Sequence, residues 1–203
     1  MPYLFGMGHL SYQEALEGER SLRVALVQTD VLPSQKTPLF GRAGEFIPPL
    51  EQWKSILRLL KARGRADWDV IVLPEAATWL KADTPFYPVA AVERCFSEEF
   101  DQEVAPYFPP LRAPYAQSTS QGIIVTNLFW VQTLSNYFKA EVIAGFDRVD
   151  RMTRHYFNSA FYCTPRGNVV QQYDKQVLLP LAEYLPFSFL KVLAKYYGIT
   201  DFY

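Results

Sequence analysis

Asp69-Val-Ile-Val-Leu-Pro-Glu75 decides the fold. Its run of β-branched and aliphatic residues is too short for a helix and reads as a buried strand that Pro74 closes. Glu75 then stands at the carboxyl end of that strand. Upstream, Leu22-Arg-Val-Ala-Leu-Val-Gln28 is a second run of the same kind. Between the two, Trp53, Ile56, Leu57 and Leu60 recur at helical spacing, with Lys54, Arg58 and Lys61 interleaved, and Gly64 falls where a C-cap belongs. Strand, amphipathic helix and strand with a crossover of this length make a βαβ unit, which predicts two parallel neighbouring strands. Ligands of open α/β sheets gather at the carboxyl ends of strands, where Glu75 lies.

Outward from this unit, residues 1–20 lack a regular period and read as a linker, leaving 21–203 as the domain. The stretch from Pro33 to Pro49 reads as loop. Lys81 to Ser120 is interrupted by Pro85, Pro88, Pro106, Pro109, Pro110 and Pro114, with a short helix expected around Val89 to Phe100. Thr126 to Lys139 predicts a second crossover helix leading into a strand, Glu141-Val-Ile-Ala-Gly-Phe146. Asn158 to Cys163, Pro165-Arg-Gly-Asn168 and Val169 to Tyr173 read together as a hairpin, with turn residues in the middle. Its second strand delivers Lys175, in Tyr173-Asp-Lys-Gln-Val-Leu-Leu-Pro-Leu-Ala-Glu183. A buried carboxylate and a buried ammonium are each costly alone, so Glu75 and Lys175 are expected to pair with each other or with a substrate.

Composition narrows the function. A chain of 203 residues, 49% hydrophobic, is long enough for one core or most of a larger one. A net charge of -1 with no basic stripe gives no argument for nucleic acid. Cys95 and Cys163 form neither a disulfide framework nor a zinc site, and His9 and His155 lack ligand spacing, so no metal is indicated. No stretch reaches the ~20 apolar residues that span a bilayer. The opening residues lack the charged and apolar regions of a signal peptide, so the chain reads as soluble or peripheral, or as the end of something longer. Aromatic residues, at 16%, fit a large core or a surface that works near lipid.

The ordered set Arg23-Val-Ala-Leu-Val-Gln28, Asp69 to Ala76, Val142-Ile-Ala-Gly145, Asn158-Ser-Ala-Phe161 and Tyr173 to Pro186 resembles the carbon–nitrogen hydrolase (nitrilase-like) superfamily. Within it the set is most similar to the extracytoplasmic domain of bacterial apolipoprotein N-acyltransferases. The resemblance implies an α/β fold, part of a nitrilase-type αββα sandwich. It implies that Glu75 is a general base, that Lys175 stabilises an oxyanion, and that a cysteine beyond the lysine carries the acyl group as a thioester. A membrane phospholipid would be the acyl donor and the N-terminal amine of a lipoprotein the acceptor, on the periplasmic side of the bacterial inner membrane. No cofactor is implied.

Glu183 matches a second acidic position of the family; orienting Lys175 or the acyl-carrying region, and serving as a structural partner to Lys175 or a helix-start carboxylate, all remain open for it. Leu181-Ala182 stands before it where members usually carry Phe-Gly, which crowds the backbone if that φ is positive. Phe187 to Tyr197 is almost wholly apolar or aromatic apart from Lys191 and Lys195, which suits a core helix or an interfacial one; the resemblance favours contact with a membrane surface. Trp79, His155 and Tyr156 are candidates for lining a pocket, with plain packing the simpler role. Cys95 and Cys163 both precede Lys175, so neither stands where the family places its nucleophile, and the chain is expected to be inactive alone. Two other readings fit the same residues: a truncated soluble nitrilase-like amidase, and a non-catalytic binding module that keeps the fold.

Overall fold

A computed structural model of the chain describes residues 6–12, 21–38, 41–64, 67–150, 152–167 and 170–178. Within the stretch read as a linker, residues 6–12 are helical. Among the described residues the main sheet has five strands in the order β1-β2-β6-β7-β8, comprising β1 (Val24–Leu26), β2 (Val70–Val72), β6 (Glu141–Val149), β7 (Tyr156–Cys163) and β8 (Gln171–Asp174). β1, β2 and β6 run parallel, with Val24 opposite Val70 and Val70 opposite Glu141. The βαβ expectation therefore holds, and the class is mixed α/β. β7 and β8 fold back antiparallel, as the turn residues between them predicted.

Among the described residues from 21 on, the chain forms four α-helices, α1 (Pro33–Lys36), α2 (Pro49–Ala62), α3 (Val89–Phe100) and α4 (Asn127–Phe138), of which α4 packs on β6 and β7. α2 begins with proline at its first turn, where a missing N–H costs nothing, and ends at Gly64 with φ +72, its N–H bonded to the Lys61 carbonyl. α1 is a single turn inside the segment read as loop; its first-turn Gln35 side chain accepts the Leu32 N–H at 3.0 Å. Every residue of α4 except Asn136 is buried, because it packs against β6 and β7 on one side and against other elements around the rest. The Thr126 hydroxyl caps its start by accepting the Phe129 N–H.

The core fills the space between the helices and one face of the main sheet. Trp53 of α2 stacks on Trp130 of α4 with ring centroids 5.0 Å apart, and both reach Phe96 or Phe146 through further ring contacts. Ile71, Val142, Ala144, Phe146, Phe161 and Cys163 supply the sheet side of that core. Each large apolar side chain buried here contributes about 1.5–3 kcal/mol relative to exposure.

The proline-interrupted stretch hides a feature that periodicity did not show. β3 (Tyr87–Pro88), β4 (Ala116–Thr119) and β5 (Gly122–Val125) form a second, antiparallel sheet in the order β3-β5-β4. Its hairpin turns at Gly122, φ +118, a conformation open to glycine, while the Thr119 hydroxyl donates to the Gly122 carbonyl.

The expectation of buried strands is met on one face only. Ile71 is buried, but Val24 and Leu26 are exposed, Leu26 by 78%. The side chains of Val24, Leu26 and Ile143 alternate away from the helix-covered face, and no strand among the described residues pairs with the far edge of β1. Burial on the second face needs a second layer, which no local run of sequence reports.

Candidate active site

Beyond β2 the chain does not leave the sheet at once. Leu73 donates its N–H to the Ile143 carbonyl, Ala77 to that of Gly145 and Ala82 to that of Asp147, so residues 73–82 follow the edge of β6. Glu75 and Ala76 sit in the middle of this run, Ala76 with φ +46. A Cβ on Gly145 would lie 2.8 Å from the Glu75 Cα and 3.0 Å from the Pro74 carbonyl oxygen. The bare backbone of β6 is therefore what lets Glu75 lie where it does.

Asn127 holds the far end of the same segment. Its carbonyl oxygen accepts from the Trp53 indole at 2.9 Å, the Thr78 hydroxyl at 3.1 Å and the Tyr87 hydroxyl at 2.9 Å. Its amide donates to the Leu80 and Lys81 carbonyls at 2.7 and 3.1 Å. A buried amide with all its bonding capacity used is a strong local constraint. Burial also raises the proton affinity of the Tyr87 hydroxyl well above the ordinary phenol range, which keeps it a donor.

Lys175 arrives from the other side. It follows β8 directly, and its N–H bonds the Asn158 carbonyl at 2.8 Å. β8 is in turn fixed to the sheet by Arg148, which donates to both oxygens of Asp174 at 3.2 and 2.7 Å, and by the Ser159 hydroxyl at 2.6 Å. The Arg148 hydrogen bond holds the Asp174 carboxyl below its usual range.

The two motif residues meet. Lys175 Nζ is 3.9 Å from Glu75 Oε1, and the side-chain amide of Asn158 donates to the same oxygen. Asp147 lies directly opposite Asn158 across β6 and β7. The pair is not buried as expected: the Glu75 side chain is 63% exposed and that of Lys175 30%. An ion pair this open contributes about 0–1 kcal/mol to stability, so stability alone does not account for the arrangement. What it offers chemically is a carboxylate in reach of solvent or substrate beside an ammonium and an amide donor.

Lys36 was not foreseen as part of this constellation. Its Nζ donates to the Glu75 carbonyl oxygen at 3.0 Å from the end of α1. Burial lowers its proton affinity, partly offset by the nearby carboxylates of Glu75 and Asp147. The motif that holds Asn158 assigns it no task; the structure gives it one, as a donor to Glu75. Trp79 packs edge-on against Phe46 at 5.5 Å, and Lys81 lies 4.6 Å above the Tyr156 ring. His155 belongs to the turn before β7, where its carbonyl accepts the Asp150 N–H.

Neither thiol belongs to the site. Cys163 is buried and faces the helices, whereas Asn158, an odd number of residues away on the same strand, faces the other way. Burial pushes the Cys163 thiol up to about 12 and raises that of Cys95 as well, which leaves both protonated at neutral pH. Glu183 and Phe187 to Tyr197 lie outside the described residues. Among the described residues no cluster of three or more His, Cys, Asp or Glu could hold a metal ion, and no helix is long and apolar enough to cross a membrane.

No family model matches the chain. The chain is 26% identical over 188 residues to the apolipoprotein N-acyltransferase of Chlamydia caviae and 28% identical over 188 residues to that of Chlamydia trachomatis. Each match covers 91% of this chain and 30% of the relative, so the chain spans under a third of the length of these enzymes. Solved structures of an N-terminal amidase, free and with a Gln-Val peptide, align with a TM-score of 0.43 and 18% identity over 78% of this chain and 28% of theirs. That likeness is too slight to bear on function. Along nearly its whole length the sequence resembles the apolipoprotein N-acyltransferases.

Proposed function

We propose that this chain supplies the carboxylate and ammonium of an acyl-transfer site of the apolipoprotein N-acyltransferase kind. The observation that carries this reading is the convergence of Asn158 and Lys175 on one oxygen of Glu75, from segments far apart in the chain. In this reading Glu75 takes the proton of an incoming thiol. The thiolate attacks an ester carbonyl, Lys175 stabilises the oxyanion, and collapse releases the alcohol, which recovers the proton. An amine then opens the thioester. A phospholipid donor, a lipoprotein amine as acceptor and a periplasmic site at the bacterial inner membrane follow from the resemblance. Glu183 is assigned to the same site and Phe187 to Tyr197 to the membrane surface on the same ground, within a 21–203 domain that forms part of a nitrilase-type αββα sandwich.

The thiol is the part these 203 residues do not offer. Cys95 and Cys163 are both buried, so by itself the chain is expected to transfer no acyl group. Incubation with phosphatidylethanolamine vesicles followed by intact-mass spectrometry should detect no thioester on either cysteine. The reading itself is tested in a chimera in which this chain replaces the matching segment of the Chlamydia trachomatis enzyme. Acylation of a diacylglyceryl lipopeptide should be measurable there and lost in Glu75→Gln and Lys175→Met. Undiminished activity in either variant would sink the assignment.

A further inference from the structure

Glu75 is held at four points, and three of them have evident roles. Asn158 and Lys175 address its carboxylate, and Gly145 leaves room for its backbone. The fourth is the Lys36 ammonium on the Glu75 carbonyl oxygen, a contact spanning 39 residues. Lys36 is itself firmly placed. Its N–H bonds the Leu32 carbonyl at 2.9 Å, and its carbonyl accepts from the Gln52 side chain at 3.0 Å. Gln52 is buried, and it also donates to the Ile47 carbonyl and accepts the Trp79 N–H at 3.2 Å. One glutamine thus ties the base of Lys36 to the site segment beyond Glu75.

The carbonyl that Lys36 captures belongs to the peptide joining Glu75 to Ala76. Ala76 has φ +46, a left-handed conformation that an alanine side chain disfavours. Rotating that peptide plane would relieve Ala76, but it would swing the Glu75 carbonyl off the ammonium and loosen the backbone on which the Glu75 side chain stands. A charge-assisted hydrogen bond is strong enough to hold the less favoured rotamer of the backbone. We propose that Lys36 is a positioning residue: it pins the backbone at Glu75, and thereby the place from which the carboxylate meets Asn158 and Lys175. The functional value of this role rests on the reading of Glu75 as the working base.

The test is spectroscopic and needs no turnover. In the full chain, labelled with ¹⁵N and ¹³C, the side-chain amide of Asn158 and the carboxyl carbon of Glu75 report their mutual hydrogen bond. Lys36→Met should displace both resonances towards those of an unbonded amide and carboxylate, while the indole signals of Trp53 and Trp130 stay in place. Lys36→Arg, which keeps a charged donor, should restore them. Unchanged Asn158 and Glu75 signals in Lys36→Met would overturn the proposal. So would a displacement that Lys36→Arg fails to reverse, or one shared equally by the core indoles. Should Lys36→Met not fold, Lys36→Gln is read in the same way and must show the same two local displacements. A chimera that stays active as Glu75→Gln would defeat the acyl-transfer reading and leave this result standing, so the two failures are separable.

Discussion

Replacing Gly145 by alanine tests whether the site rests on one missing side chain. The new Cβ would stand 2.8 Å from the Glu75 Cα, 3.0 Å from the Pro74 carbonyl oxygen and 3.1 Å from the Ala76 nitrogen. Ordinary carbon contacts begin near 3.5 Å, so β6 and the Glu75 segment must part by about 0.7 Å. All three obstructing atoms are backbone and none can rotate away. Overpacking of this kind costs about 1–3 kcal/mol, while the loss of chain freedom in the unfolded state returns about 0.4–1 kcal/mol. The net expectation is a destabilisation of about 1–2 kcal/mol, read as a lower urea midpoint at unchanged slope. Gly44→Ala is the control, because a Cβ there meets nothing within 4 Å and its backbone is not left-handed. The Asn158 side-chain amide should also lose its bonded shift in Gly145→Ala and keep it in Gly44→Ala. If Gly145→Ala proved as stable as the control, with the Asn158 signal unmoved, the close approach would not constrain Glu75.

Three further outcomes are expected. Asn127→Ala strips the acceptor from three buried donors, Trp53, Thr78 and Tyr87, each costing about 1–3 kcal/mol, so denaturant unfolding should show a loss of about 3 kcal/mol or more. Because the folded Asp174 carboxyl is held below its unfolded value, its contribution is fully present above roughly pH 4 and is lost as pH falls through the folded value. Acid titration of stability should therefore be shallower in Asp174→Asn than in the parent, and identical slopes would remove Asp174 from the account. Iodoacetamide at pH 8 should label Cys95 and Cys163 only under denaturing conditions, as judged by peptide mass spectrometry, since both thiols are buried and hold their protons.

How far the sequence revealed this depended on whether the signal was local. The βαβ unit was legible because strand and helix periods differ, and α3 runs over Val89–Phe100, where a short helix was expected. α4 falls within the Thr126 to Lys139 stretch that the sequence marks as a helix, and the structure shows Thr126 capping its start and Lys139, φ 55, ending it. The β3-β5-β4 sheet was not, since Gln117, Ser118 and Thr119 give no apolar alternation and prolines interrupt the approach to them. Glu75 and Lys175 could be picked out by their strand-end positions, but their exposure could not, because it depends on what covers the second face of the sheet. Lys36 left no trace in its own neighbourhood. Its partner is a backbone carbonyl 39 residues away, and only a long, flexible side chain on a well-anchored turn makes that contact.

The strand order also sets when the site can come into being. β6, β7 and β8 are successive in the chain and joined by turns, so their pairing closes short loops and is entropically cheap. β2 must find β6 across the whole span that separates Val70 from Glu141, a pairing of high contact order and correspondingly slow. Lys175 and Asn158 arrive with the quick meander, Glu75 with the slow parallel strand. The Glu75–Asn158 hydrogen bond is then expected among the last native contacts to form, and a time-resolved signal from it would clock the completion of the sheet.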